Sequence, residues 1–151
     1  MSESVKGLGH FEGKIHVLPV RVYYEDTDLS GVVYHANYLR YMERARTEFF
    51  RLAGIERMAD LEAKEPTAWA IREVQVSYHR PARLDDPLTV KTELTALSGA
   101  RIGAVQKIYT GETLLVDGRI EACIVTLKGQ PRRLPQQLRD LLTPFLTETN
   151  S

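Results

Sequence analysis

The sequence offers one cysteine, Cys123. A single thiol cannot close an internal disulfide or build a cysteine-based zinc site. Net charge is also missing, since 20 Lys and Arg balance 20 Asp and Glu. A general nucleic-acid binder needs a basic surplus, so that class is excluded. No apolar run approaches the roughly 18 residues of a membrane-crossing helix. Met1 to Lys14 carries no apolar stretch of the kind a secretory leader needs. These absences point to the reducing cytoplasm. Several catalytic signatures are absent as well. There is no Gly-x-Ser-x-Gly elbow, no phosphate loop, no Gly-x-Gly-x-x-Gly turn and no His-Glu-x-x-His pair.

What is present fits one core. At 151 residues with 43% hydrophobic content, the chain has enough apolar material for a single domain. Met1–Lys14 is polar and Gly-containing and is expected to be a loose tail. The domain is expected over 15–142, followed by a C-terminal tail over 143–151. Val20, Val22 and Tyr24 alternate with Arg21, Tyr23 and Glu25 and predict a strand from Ile15 to Glu25. Tyr38, Tyr41, Met42, Ala45, Phe49, Leu52 and Ala53 recur at spacings of three and four and predict a helix from Asn37 to Ala53. Arg40, Glu43, Arg44, Arg46, Thr47 and Arg51 fall on its opposite, solvent side, and Glu43 and Glu48 are read as surface or interface residues. Asn37 has the chemistry of an N-cap and Gly54 that of a stop. Glu56–Lys64 is read as a short second helix.

Alternation resumes after Pro66. It predicts strands near Val74–Tyr78, Leu88–Ala96, Arg101–Tyr109 and Leu114–Leu127, with a short helix over Gln136–Leu142. Short turns between these strands predict antiparallel neighbours. The expected architecture is α+β, with one long helix against a five-stranded antiparallel sheet. One helix cannot cover such a sheet, so a homo-oligomer is expected.

The stretch most concentrated in chemistry is Tyr23-Tyr24-Glu25-Asp26-Thr27-Asp28-Leu29-Ser30-Gly31-Val32-Val33-Tyr34-His35-Ala36-Asn37-Tyr38. It joins a strand to a helix N-terminus, where free N–H groups and the positive end of the helix dipole meet. A carboxylate there can attack a carbonyl or activate water, while the N–H groups hold the developing oxyanion. Asp26 and Asp28 are equally the residues of caps and Asx-turns, and His35 alone is an ordinary residue near a helix start.

Arg21 to Arg51 as a whole resembles the hotdog-fold acyl-CoA thioesterases. It is most similar to the YbgC-type thioesterases associated with the Tol–Pal system, and more distantly to the 4-hydroxybenzoyl-CoA thioesterases. Tyr78-His79-Arg80-Pro81-Ala82-Arg83-Leu84-Asp85-Asp86 is a second matching stretch. The resemblance implies a hotdog fold, a long central helix wrapped by a five-stranded antiparallel sheet. It implies an acyl-CoA thioester hydrolase in which Asp28 is nucleophile or general base. The His35 N–H then polarises the carbonyl and the His35 imidazole positions water or substrate. Tyr24, Asp26, Gly31, Val33 and Tyr34 shape the loop and oxyanion region. It implies no metal and no cofactor beyond the coenzyme A of the substrate. A homodimer, extending to a dimer of dimers, and a link to Tol–Pal or acyl-carrier machinery are further implications.

Arg83, Arg101, Lys128, Arg132 and Arg133 are the candidates for the coenzyme A phosphates. At Ser98-Gly99-Ala100 the sequence departs from the basic cluster of the 4-hydroxybenzoyl branch. Two rival functions use the same residues: an enoyl-CoA hydratase or dehydratase with Asp28 and His35 as acid–base pair, and a non-catalytic acyl-CoA or acyl-carrier binding scaffold.

Overall fold

The computed structural model describes residues 8–55, 59–60 and 65–147. Strands β1 (His10–Glu12) and β2 (Ile15–Arg21) lead into the long helix α1 (Asn37–Leu52). Strand β3 (Ala59–Asp60) precedes β4 (Thr67–Tyr78), β5 (Pro87–Leu97), β6 (Arg101–Thr110) and β7 (Thr113–Thr126). Strand β8 (Pro131–Arg132) and helix α2 (Gln136–Leu142) follow. The antiparallel sheet runs β1-β2-β5-β6-β7-β4-β3, with β8 on β7. Its five long strands are those expected from alternation. The three short ones, of two or three residues, are additional.

Several expectations change. Strand β2 ends at Arg21 rather than Glu25, because the Val22 N–H turns to Asp86 O and Tyr24–Asp26 closes a 3-10 turn. Strands β4 and β5 follow each other in sequence but are not neighbours, because β4 pairs with β7 and β5 pairs with β2 and β6. The connection between them crosses the sheet and serves the loop described below. The expected tails are also packed in part. His10–Glu12 pairs with β2. Thr143–Phe145 forms a 3-10 turn, and the Thr147 N–H donates to Leu94 O at 2.9 Å. The helix expected over Glu56–Lys64 lies mostly outside the described residues. The two that are described, Ala59 and Asp60, are strand.

Inward-facing residues alternate along the sheet and meet α1. Leu88 and Val90 of β5, Ile108 of β6 and Val116 and Ile120 of β7 pack with Tyr38, Tyr41, Met42 and Ala45. A second cluster joins Phe49 and Phe50 to Leu94, Ile102, Ile124 and Leu142. Bulges in β4, β5 and β7 curve the sheet around the helix. The end of α1 is a Schellman motif. Gly54 has φ of 105°, its N–H donates to Arg51 O, and the Ile55 N–H donates to Phe50 O. Only glycine takes that backbone angle without strain.

Two residues on the helix depart from the expected solvent face. Arg46 is half-buried and donates to Gln106 Oε1 at 2.9 Å. Glu48, expected at the surface or an interface, is buried and accepts from the Leu8 N–H and from Arg51.

Candidate active site

The loop between β2 and α1 is built from the backbone outward. Tyr24–Asp26 forms a 3-10 turn. Buried Asp26 accepts from the Tyr23 N–H on Oδ2 at 2.9 Å, while its carbonyl accepts from the Tyr34 N–H and from Asn37 Nδ2. Asn37 is therefore not the N-cap. It is the first helical residue, and its side-chain amide ties the helix start to Asp26. Ala36 holds the cap position with no side-chain cap bond, and the first turn contains no acidic residue. The dipole at this end is thus left uncompensated by the helix itself.

Asp28 lies beyond the 3-10 turn and is fully exposed. Its Oδ1 accepts from the Ser30 hydroxyl at 2.5 Å and the Ser30 N–H at 2.8 Å, an Asx-turn with a second donor. The Ser30 hydroxyl, then its amide, hold the Asp28 carboxyl below the ordinary carboxylate range. The group is a carboxylate at neutral pH with one oxygen engaged. Gly31 closes the turn at φ of 83°, the left-handed angle that glycine permits. The Asp28 N–H donates to Val32 O.

The second matching stretch packs on this loop. The Val33 N–H donates to Ala82 O, the Leu84 N–H to Gly31 O, and the Ala82 N–H to Tyr38 Oη. Tyr78 Oη donates to His35 O at 3.3 Å. The Tyr34 and Asn37 N–H groups are occupied, whereas the His35 N–H has no partner among the described residues. His35, Tyr38, Tyr78, His79, Arg80 and Val33 line a cleft of about 260 Å³. Tyr23, Tyr24, Leu29 and Tyr34 stand exposed on the same loop, a concentration of uncovered apolar surface.

Of the candidate residues, Tyr24, Asp26, Asp28, Gly31, Val33, Tyr34 and His35 share this loop, and Arg83 joins them through its bridge to Val32. Arg101, Lys128, Arg132 and Arg133 do not converge with them in one chain. They lie at the opposite end of β5–β7, roughly 30 Å away at about 3.3 Å per residue. Arg101 pairs with Glu121 and Arg132 with Glu65. The Arg133 guanidinium lies against the Gly99 turn, 2.8 Å from where a Cβ at Gly99 would stand. Sequence reasoning passed over three residues at the site. Ser30 was legible as the Asp-x-Ser spacing, whereas Tyr78 and Arg80 were legible only as members of the second motif. Among the described residues no three His, Cys, Asp or Glu side chains form a group able to hold a metal ion, and no helix is long and apolar enough to cross a membrane.

Comparison with known proteins converges on one group. The chain is 44% identical over 122 residues to the acyl-CoA thioester hydrolase YbgC of Escherichia coli O157:H7, covering 80% of this chain and 90% of that one. It is 38% identical over 122 residues to the acyl-CoA thioesterase YbgC of Haemophilus influenzae, covering 80% and 89%. A probable thioesterase from Bartonella henselae superposes with a TM-score of 0.76 at 42% identity, covering 80% of this chain and 98% of that one. A 1,4-dihydroxy-2-naphthoyl-CoA thioesterase from Synechocystis shares the fold, with a TM-score of 0.77 at 21% identity over 85% of this chain and 96% of its own. Residues 22–142 match the family model of the thioesterase-like superfamily, and the chain belongs to that family.

Proposed function

We propose that the chain hydrolyses acyl-CoA thioesters, with Asp28 as the reacting carboxylate and the His35 N–H polarising the thioester carbonyl. The observation that carries the reading is the presence of an exposed, ionised carboxylate and an uncapped helix start in one loop. The relatives named as acyl-CoA thioesterases support it.

In one route Asp28 attacks the thioester carbon, the C–S bond breaks, and coenzyme A leaves as thiolate. Water then opens the mixed anhydride, releasing the acid. In the other, Asp28 takes a proton from a water that attacks the same carbon, and the thiolate leaves from the tetrahedral intermediate. Thiolate is a tolerable leaving group, so neither route asks for a metal. The His35 N–H, without a partner among the described residues, meets the oxyanion in both. A single turnover in heavy-oxygen water that labels the Asp28 carboxylate establishes the first route, with water attacking the Asp28 carbon of the anhydride. Trapping of the anhydride by hydroxylamine covers attack at the acyl carbon. The activity itself is tested by thiol release from a panel of acyl-CoAs; absence of release from all of them sinks the proposal.

Assembly as a homodimer belongs to the same proposal. Beyond its short pairing with β3, the outer edge of β4 from Trp69 to Tyr78 has no strand partner among the described residues. Ile71, Val74 and Tyr78 on its helix-side face are exposed. A long uncovered edge of this kind favours pairing with a second copy. Such pairing also offers Arg101, Arg132 and Arg133 of one copy as phosphate partners for the loop of the other. Action in the cytoplasm fits the single thiol and the coenzyme A substrate. Light scattering coupled to size exclusion checks the copy number.

A further inference from the structure

A cavity with a mainly apolar lining lies away from Asp28. It occupies about 370 Å³ between the second half of α1 and the inner face of β4–β7, with Phe50, Trp69, Ile71, Ala104 and Ala122 in its wall. Trp69 stacks on Phe50 with ring centroids 5.2 Å apart and closes one side. Ala104 and Ala122 leave the space that larger residues fill elsewhere on this face. A polar group interrupts this lining. Arg46 enters the wall with Thr92, and its guanidinium donates to Gln106 Oε1 at 2.9 Å rather than to a carboxylate. Gln106 is wholly buried, and its Nε2 donates to Met42 O and Thr92 Oγ1, both at 2.9 Å. Its carbonyl is thereby aimed at Arg46, which fixes the guanidinium. A guanidinium has five N–H donors, and one neutral acceptor leaves most of them unused. Burial works against its charge, with exposed Glu43 at the rim only partly compensating.

We infer that this cavity seats the acyl group of the substrate, and that Arg46 selects acyl groups whose far end carries an acceptor oxygen, a hydroxyl or a carboxylate. The inference rests on the thioesterase reading for the identity of the ligand. Geometry supports the reach. The Arg46 backbone lies eleven residues beyond His35, about 16 Å at 1.5 Å per residue, and its guanidinium reaches back about one turn, about 5 Å, to the Gln106 that is bonded to Met42 O. The uncovered inner-face residues of β4, Tyr78, Val74 and Ile71, run beside α1 from the His35 cleft to the cavity. An acyl chain with its carbonyl at the helix start therefore lays its far end against the guanidinium. An apolar body with one acceptor oxygen satisfies both the wall and the unused donors.

Trp69 is the only tryptophan of the chain, so its fluorescence reports occupancy of the cavity without any turnover. The probes are S-octyl-coenzyme A and its ω-hydroxy and ω-carboxy counterparts, thioethers that a thioesterase cannot cleave. The wild-type protein is expected to bind at least one oxygenated probe roughly tenfold to a hundredfold more tightly than S-octyl-coenzyme A, the scale of a charge-assisted hydrogen bond. Which probe gains more tells an anion from a neutral hydroxyl. Arg46→Met should erase the difference. Ala122→Leu narrows the cavity without touching the charge and should weaken all three probes. Equal binding of the three by the wild type overturns the inference, and so does a preference that survives in Arg46→Met. Thiol release from octanoyl-CoA is measured separately. A binding preference without release defeats the hydrolase reading and leaves the subsite standing, whereas release with no Trp69 response defeats the subsite alone.

Discussion

Replacing Asp28 with Asn separates chemistry from folding at this site. The variant keeps an Oδ1 acceptor for both Ser30 donors, so the Asx-turn and the loop are retained. Asp28 is fully exposed and buries nothing, so global stability should stay within about 0.5 kcal/mol. Activity should not survive, because an amide neither attacks a thioester nor accepts a proton from water. Loss of a general base lowers turnover by about 10²–10⁴-fold, or about 3–5 kcal/mol of barrier at 1.36 kcal/mol per decade. The neighbouring Asp26→Ala should behave in the opposite sense. Asp26 is buried and its carboxylate accepts from the Tyr23 N–H. Its loss removes a local cap and leaves that N–H unpaired, a change of about 1–2 kcal/mol. In a chain of this size that lowers Tm by roughly 2–8 °C. Thiol release from short-chain acyl-CoA and thermal melts on the same preparations give both readouts. Near-normal turnover in Asp28→Asn, with an unchanged melt, refutes the role given to that carboxylate.

Three further outcomes are expected. Ser30 is the first cause of the low Asp28 pKa, so Ser30→Ala should move the acidic limb of the kcat/KM profile to higher pH; an unmoved limb contradicts the pairing. Burial outweighs the hydrogen bond between His16 Nε2 and Leu8 O and lowers the His16 pKa from 6.5. The unfolded chain then binds the proton more readily, so stability is fully present above about 6.5 and falls as the pH drops below it; His16→Leu should flatten that fall in pH-dependent melts. Removing Met1–Lys14 strips Phe11 from its contacts with Phe49 and Phe145 and takes Leu8 from His16 and Glu48. This deletion should lower Tm by several degrees, and an unchanged melt would show that β1 contributes nothing.

Much of the fold was legible because periodicity reports which face of an element is buried. The apolar stripe of α1 and its Gly54 stop are in the sequence, as is the alternation of β2, β5, β6 and β7. Periodicity does not report which strand lies beside which. Arg80–Pro87 has the composition of a turn between neighbours, yet its backbone is spent on Val22, Gly31 and Val33, and β4 pairs with β7 instead. Strands of two or three residues, such as β1 and β8, are too short to show a period at all. Asn37 misled because its side chain both donates and accepts: the acceptor suggests a cap, but the donor is what Asp26 O uses. Arg46 sits at the margin of the apolar stripe. The signal for its burial was elsewhere, in Gln106, a polar residue at an inward position of β6.

The two matching stretches, with 26 residues of sequence between them, form one structure, and their contacts divide the loop into two kinds of residue. The first kind is pinned. Val22 donates to Asp86 O, Val33 to Ala82 O, and Leu84 to Gly31 O, while Tyr38 Oη holds the Ala82 N–H. These bonds satisfy backbone groups that a loop at the surface otherwise gives to water. The second kind is left free by the first: the Asp28 carboxylate faces solvent and the His35 N–H has no partner among the described residues. A carboxylate and a donor can be held ready for a carbonyl only if their own loop does not consume them. Substitutions therefore sort by this division. Changes at Val33, Tyr38 or Ala82 should be read in melts, and changes at Asp28 in turnover. A substitution of Tyr38 to Phe that lowered turnover with no change in Tm would break the division, because its hydroxyl has no described bond except the one to Ala82.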